Sequence, residues 1–168
     1  MQLKKYLKNI GITDISSKTT FFHPNIPPKK LLNAVSVYGQ NISPDEVIVL
    51  VDDTFWGSAK EGALVTNDFL SMHVSGYPAR RWDIDSLEDI SLSNQHVVVN
   101  NEVTARFEKA ELKPLEYLIS VLNDYLVART AVQQIENTEK LMSFAELTEI
   151  CETYTQPDCY TEEELRAA

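Results

Sequence analysis

Residues 46–66 read EVIVLVDDTFWGSAKEGALVT, with two apolar runs, VIVLV and ALV, on either side of a polar turn. Both runs are typical of buried strands, because they are short, continuous and rich in β-branched residues. Between them, Asp52 and Asp53 can bond to the local backbone. Gly57 and Gly62 permit backbone dihedrals that a Cβ atom would oppose. We therefore predict that this stretch is a β-hairpin.

The polar part of the hairpin carries a recognisable pattern. Residues 52–66, DDTFWGSAKEGALVT, followed by Phe69, resemble the entry hairpin of bacterial pleckstrin-homology-like (PH-like) domains. In that family the pattern D-D-T-x-x-G-S-x-x-[DE]-G-x-x-x-T opens a barrel. The resemblance extends over residues 27–125, and only residues 52–66 are specific.

The resemblance implies an α+β fold, a small, partly open antiparallel β-barrel or sandwich capped by a C-terminal helix. It implies no common catalytic residues, and a fold that serves so many functions does not identify one. We expect three parts: an N-terminal helix and loop at 1–26, the PH-like domain with its capping helix at 27–130, and a C-terminal helical extension with an acidic tail at 131–168.

Hydrophobic periodicity predicts the elements around the hairpin. Leu3, Tyr6, Leu7 and Ile10 form the apolar face of a short N-terminal helix, which we expect to dock onto the domain. A loop is predicted at 16–28. A second helix at 28–38 has Leu31, Leu32, Val35 and Tyr38 on its apolar face, and a long helix after Pro114 has Leu115, Leu118, Ile119, Leu122, Tyr125 and Leu126.

Shorter patterns predict the remaining strands and a final helix. Residues 69–74 continue or complete the second strand of the hairpin, and further strands are predicted at 81–84, 87–92, 96–99 and 102–108. The last of these strands should place Val103, Ala105 and Phe107 on one face. Ser143 and Glu146 have the form of a capping box, which predicts that a final helix starts there.

The net charge of −10 is unevenly distributed. The chain through Gln40 carries a net charge of +5, so the remainder carries −15. An acidic surface repels nucleic acid and anionic membranes, and a protein partner with a basic face is the better match. The alternative is that the acidic residues only keep the protein in solution.

These observations favour a non-catalytic protein-interaction module of inhibitor, immunity or adaptor type. The alternative is a membrane-associated, phospholipid-binding adaptor that uses the lysine-rich N-terminal helix and Lys60. A homodimer through the terminal helices is also compatible with the sequence. The candidate partner-binding residues are four acids and three residues of the hairpin turn: Asp83, Asp85, Glu88, Asp89, Phe55, Trp56 and Lys60.

The sequence predicts no catalytic residue, no metal site and no cofactor. Asp52, Asp53 and Glu61 could act as an acid–base group or bind a cation, but hydrogen bonding to the glycine turn is the preferred interpretation. The three histidines have no ligand spacing, and Cys151 and Cys159 match neither a redox motif nor a zinc motif. A cytoplasmic location is expected, because there is no signal-peptide pattern and no apolar run of about 18 residues.

Overall fold

The structure, a computed structural model, describes the backbone of residues 2–12 and 17–154, and their side chains up to residue 140 except for residue 139. Within these ranges the fold is α+β. The helices are α1 (Leu3–Asn9), α2 (Pro28–Tyr38) and α3 (Leu112–Tyr154), with short 3-10 helices at Pro44–Glu46 and Ile84–Ser86. The strands are β1 (Thr20–Phe22), β2 (Val49–Asp52), β3 (Gly62–Val65), β4 (Phe69–His73), β5 (Arg80–Asp83), β6 (Ile90–Ser93), β7 (His96–Val99) and β8 (Glu102–Arg106).

The strands form two antiparallel sheets, one with the order β1-β2-β3-β4-β5 and one with the order β6-β7-β8. The predicted hairpin is confirmed, since Val49 pairs with Val65 and Asp52 with Gly62. In the described part of the chain the two sheets remain separate and do not close into a barrel.

Two strand predictions were wrong. Residues 69–74 do not continue β3, because Thr66 turns the chain: its hydroxyl accepts hydrogen bonds from the backbone N–H groups of Asp68 and Phe69. The segment that follows is the separate strand β4. The predicted loop at 16–28 contains β1, which pairs with β2, so the sheet covers Phe22 and half-buries Phe21.

The prediction for the face of β8 was also wrong, because the strand contains an irregularity. Val97 pairs with Ala105 and Val98 with Val103, which leaves Thr104 as an extra residue on β8. Such a bulge shifts the alternation of side chains by one residue. Val103 is therefore exposed, whereas Ala105 is buried.

The first sheet is covered on both faces, as the apolar composition of β2 predicts. Val49 and Val51 belong to the main core, together with residues of the second sheet, α1 and α3. Leu50 faces the other way and packs in a second apolar cluster with Ala34 and Tyr38 of α2. In α2 itself, Leu32 departs from the prediction and is exposed.

The N-terminal helix docks as predicted. Leu3 and Leu7 are fully buried in the main core, and the ring of Tyr6 meets the ring of Tyr125 edge-on with centroids 5.4 Å apart. Gly11 follows the helix with a left-handed φ of 71°, a conformation common just after the end of a helix.

The long helix buries all six of its predicted apolar residues between Leu115 and Leu126. The predicted helix start at Ser143 was wrong, since the backbone of α3 is continuous through this position. The preceding TEKLM segment contains no helix breaker, and a serine side chain is tolerated inside a helix. The contacts divide the chain into two compact units, Met1–Arg129 and Thr130–Ala168. Cys159 and the predicted acidic tail lie outside the described residues.

Candidate functional site

The loop that joins β2 to β3, residues 53–61, is held at its base by Asp52. This carboxylate is fully buried. Its Oδ1 accepts hydrogen bonds from the Thr54 N–H (2.9 Å), the Thr54 hydroxyl (2.5 Å) and the Ala59 N–H (3.2 Å). Its Oδ2 lies 2.5 Å from Nζ of Lys30 in α2. Asp52 therefore closes the loop and also ties it to the helix.

Burial and hydrogen bonding act in opposite directions on Asp52. Removal of the carboxylate from water raises its pKa, whereas the hydrogen bonds from Lys30 and Thr54 lower it. The hydrogen bonds and the lysine charge outweigh burial, so the pKa is below its ordinary value. Asp52 is thus held as a carboxylate rather than as a proton donor.

Asp53 makes a different set of contacts. Its Oδ1 accepts hydrogen bonds from the N–H groups of Lys109 (2.6 Å) and Ala110 (2.8 Å), and its Oδ2 accepts one from the N–H of Glu108 (3.1 Å). These residues lie just ahead of α3. The preferred interpretation, hydrogen bonding to the glycine turn, is therefore right for Asp52 and wrong for Asp53, because neighbouring residues of an extended chain point to opposite sides.

The backbone needs unusual dihedrals at two positions in the loop and at the first residue of β3. Gly57, Ala59 and Gly62 have φ values of 68°, 56° and 143°. A Cβ atom at Gly62 would lie 1.9 Å from the carbonyl oxygen of Val51, so this position excludes every side chain. The Asn33 amide of α2 donates to the Ser58 carbonyl at 2.8 Å and fixes the far side of the loop.

The tip of this loop is apolar and exposed. Phe55 is 74% exposed and Trp56 is 88% exposed. Their rings meet edge-on with centroids 4.8 Å apart. We call these two residues the aromatic tip. A fixed loop thus presents two aromatic side chains to solvent, and Lys60 is exposed in the same loop.

The four acidic candidates occupy a different part of the molecule. Asp83 ends β5, Asp85 lies in the 3-10 helix that follows, and Glu88 and Asp89 precede β6; all four are wholly or partly exposed. We call these four residues the acidic segment. The backbone N–H groups of Glu88 and Asp89 both point to the side-chain oxygen of Asn100.

The structure does not bring the acidic segment and the aromatic tip together. In the first sheet, Gly62 pairs with His73 near one end of β4, and Asp83 pairs with Phe69 at the other end. The β2–β3 loop and the start of the acidic segment therefore lie at opposite ends of the sheet.

The arginines near the hairpin have partners. Arg80 forms an ion pair with Glu102 at 3.1 Å. Arg81 donates to the carbonyl of Gln40 at 2.5 Å, and its guanidinium stacks 3.4 Å from the ring centroid of Phe69. These contacts stabilise β5, an edge strand, rather than leaving two free cations beside Lys60.

Two residues that position these segments were missed. Lys30 is separated by 22 positions from its partner Asp52, and no local pattern indicates such a pairing. Arg129 is buried and donates to the carbonyl oxygens of Ile84 and Leu87, which holds the backbone of the acidic segment. The sequence did contain a signal here, because Arg129 lies on the buried face of α3, after Leu122 and Leu126.

The division of the chain also changes the distribution of charge. Residues 1–129 contain 13 basic and 16 acidic residues, a net charge of −3, whereas residues 130–168 contain 2 and 9, a net charge of −7. The unit that carries the aromatic tip thus has a smaller net negative charge than residues 130–168, because it includes the basic residues 1–40.

No group of His, Cys, Asp and Glu residues in the described ranges has the geometry of a metal site. The helices of the same ranges include none with the length and hydropathy of a membrane span. The chain matches no protein-family model, no curated protein and no solved structure. Inference about function therefore rests on the geometry of the residues.

Proposed function

We propose that this protein is a non-catalytic interaction module with a PH-like fold, and that it binds a protein partner through the aromatic tip. The order of elements supports the fold: two antiparallel sheets are followed by a helix whose first turns pack into the core. The PH-like pattern at residues 52–66 forms the loop that carries the tip. The proposed role is of the inhibitor, immunity or adaptor type.

The exposure of Phe55 and Trp56 carries the proposal. An aromatic side chain of this size buries about 200 Å² when it is covered, which corresponds to about 5 kcal/mol at about 25 cal/mol per Å² before entropic costs. Tryptophan is among the residues that contribute most to protein–protein binding. In this domain the two rings cover only part of each other, so most of that free energy is left for a partner.

The rigidity of the loop supports the same role. Asp52, Thr54, Asn33 and Lys30 fix the backbone on either side of the tip. A partner then binds rings whose backbone is already positioned, and less conformational entropy is lost.

The contacts of the carboxylates support a non-catalytic role. Asp52 and Asp53 are two of the three carboxylates that the sequence offers for acid–base chemistry, the third being Glu61, and both already accept backbone hydrogen bonds. Their role in the proposal is to shape the loop.

The local charge favours a protein over an anionic membrane as the partner. Lys30 is paired with Asp52, and Lys60 is followed directly by Glu61. The loop therefore has little net positive charge, whereas binding to anionic lipid headgroups gains about 1 kcal/mol for each lysine or arginine near the surface.

The test begins with identification of the partner by cross-linking in the native host, followed by titration of the purified pair. We expect the double variant Phe55→Ser/Trp56→Ser to bind at least 100-fold more weakly. The matched control is Leu32→Ser, which removes a side chain that is 60% exposed on α2 and should leave affinity unchanged. Equal affinity of the tip variant and the wild type would exclude the tip as the contact, and tip-dependent binding to anionic vesicles without a protein partner would favour the membrane alternative.

The acidic segment has a separate role in the proposal. It lies at the other end of the first sheet, so we expect it to attract a basic partner through its field rather than by contact. Asp83→Lys/Glu88→Lys should slow association several-fold at low salt and leave the dissociation rate unchanged. The control is Glu116→Lys, which places the same type of change on an exposed site of α3. A large change in dissociation rate would show that the acidic segment makes direct contact.

A further inference from the structure

The strands at the ends of the two sheets are β1, β5, β6 and β8, and their free edges differ within the described part of the chain. At β1, the carbonyl of Phe22 already accepts a hydrogen bond from the Asn25 N–H at 2.7 Å. β6 begins at Ile90, which is only 2% exposed, and β8 contains the extra residue Thr104. Bulges and covered edges are common means of preventing strands from pairing with another chain. β5 has neither, and its residues are exposed except for one that is half-buried.

The hydrogen bonds between β4 and β5 show which backbone groups of β5 are free. The Ile84 N–H donates to the Asp68 carbonyl at 2.7 Å, and bonded positions alternate with unbonded ones along an antiparallel pair. The N–H and C=O groups of Arg81 and Asp83 therefore point away from β4. Among the described residues, one partner lies on this side, the Ser86 hydroxyl, which donates to the Asp83 carbonyl at 2.8 Å. A carbonyl oxygen can accept a second hydrogen bond, so this edge can pair with another strand.

The side chains of β5 favour a second copy of the same strand as the partner. Charges on an edge strand normally oppose pairing, but Arg81 and Asp83 have opposite signs and lie on the same face. In an antiparallel pair centred on Trp82, Arg81 lies directly opposite Asp83 of the second copy, and Asp83 lies opposite its Arg81. Opposite charges at such positions stabilise a strand pair, and like charges destabilise it. A register centred on Arg81 or on Asp83 would place like charges opposite each other.

The present contacts of these side chains permit this pairing. Arg81 donates one hydrogen bond to the Gln40 carbonyl and stacks on Phe69, which leaves other N–H groups of its guanidinium available. The carboxylate of Asp83 forms no ion pair with a described residue. Trp82 is only half-buried against the main core, so its ring can also contact a second copy. Aromatic cross-strand pairs stabilise sheets.

We propose that β5 pairs with β5 of a second copy, which gives a dimer with two-fold symmetry and joins the two larger sheets into one. Arg81 and Asp83 exchange backbone hydrogen bonds on both sides of the axis, and their side chains form an ion pair on each side. Addition of a strand at a free sheet edge is a recurring mode of protein association. Asp83 lies at the end of the sheet opposite the aromatic tip, so this proposal and the proposed function can fail independently.

The test is sedimentation equilibrium of the purified full-length protein, with no other protein present. We expect the wild type to form a dimer as its concentration rises. Arg81→Asp and Asp83→Arg should each weaken self-association at least ten-fold, because each places like charges opposite each other at both positions. Asp124→Arg is the matched control, since it makes the same change of charge at an exposed site on α3. Its affinity for itself should equal that of the wild type.

A mixture of Arg81→Asp and Asp83→Arg is the decisive arm, and it also controls for misfolding of either variant. In the mixed pair, opposite charges face each other again at both positions, so the two variants should associate with each other with nearly the affinity of the wild type. In the wild type, hydrogen exchange at the amides of Arg81 and Asp83 should slow as the concentration rises. A monomer at every concentration, a dimer that neither variant weakens, such as one through the terminal helices, or a mixture that does not associate would each overturn the proposal.

Discussion

The base and the tip of the β2–β3 loop are adjacent in sequence and opposite in character. At the base, Asp52 and Asp53 are buried and accept hydrogen bonds from three separate parts of the domain. At the tip, Phe55 and Trp56 have almost no contacts except with each other among the described residues. The comparison indicates that polar residues hold the base of this loop, while Phe55 and Trp56 are available for binding. This reverses the usual distribution, in which apolar residues are buried and polar ones exposed.

The most severe way to disrupt the base is Gly62→Ala. The added Cβ would overlap the Val51 carbonyl at 1.9 Å, and an L-residue is strained at a φ of 143°. We expect a loss of more than about 4 kcal/mol in the free energy of unfolding, measured by urea denaturation. Gly76→Ala is the matched control: Gly76 also has a positive φ, 83°, but nothing lies within 4 Å of the position that an added Cβ would occupy. It should cost only about 1 kcal/mol, and equal losses would mean that strain alone, without overlap, explains Gly62.

Removal of the carboxylate of Asp53 should cause the next largest loss in the free energy of unfolding. Asp53→Ala leaves the N–H groups of Glu108, Lys109 and Ala110 without their carboxylate. We expect a loss of about 3 kcal/mol, since hydrogen bonds to charged groups are strong and water can replace part of them. Hydrogen exchange should also speed up at these three amides. Loss of exchange protection at the Ala59 amide instead would contradict the assignment of that amide to Asp52 and of the other three to Asp53.

Asp52→Asn should lower the free energy of unfolding by about 2 kcal/mol at pH 7, because it removes the ion pair with Lys30. The loss is limited because the ammonium group of Lys30 is partly exposed and can still be hydrated. The effect should depend on pH in a defined direction. The folded-state pKa of Asp52 is lowered, so its contribution is fully present above the unfolded-state pKa of about 4 and is lost as the pH falls through the folded-state pKa. The stability difference between wild type and Asp52→Asn should therefore shrink below about pH 4. A constant difference down to pH 2 would contradict a lowered pKa.

Local sequence patterns predicted the elements that depend on local chemistry. The hairpin, α2 from Pro28 and the buried face of α3 follow from periodicity, caps and turn residues. Local signals were misread at Thr66 and Ser143. The other errors occurred where a partner distant in sequence decides the structure. Examples are β1, which is a strand because β2 supplies a partner, and the bulge at Thr104, which is defined by pairing with β7.

The candidate site shows the same limit. Phe55 and Trp56 were named as candidates from the sequence alone, as residues of the predicted hairpin turn. The separation of the tip from the acidic segment could not be predicted, because it depends on the register of β3, β4 and β5. The roles of Asp53 and Lys30 depend on contacts across 57 and 22 positions, and no spacing rule reaches that far.

The smallest expected effect on stability, at the aromatic tip, tests most directly the difference between the base and the tip of the loop. Phe55→Ser/Trp56→Ser should change the free energy of unfolding by less than about 0.5 kcal/mol, because both side chains are already in water in the folded state. Loss of partner binding with unchanged stability would show that the tip binds and does not stabilise the fold. Asp53→Ala should instead lose stability, and its remaining folded fraction should still bind the partner. Destabilisation of the tip variant by about 2 kcal/mol or more would instead mean that the aromatic rings are part of the folded core in solution, and the aromatic tip would no longer be a free surface for a partner.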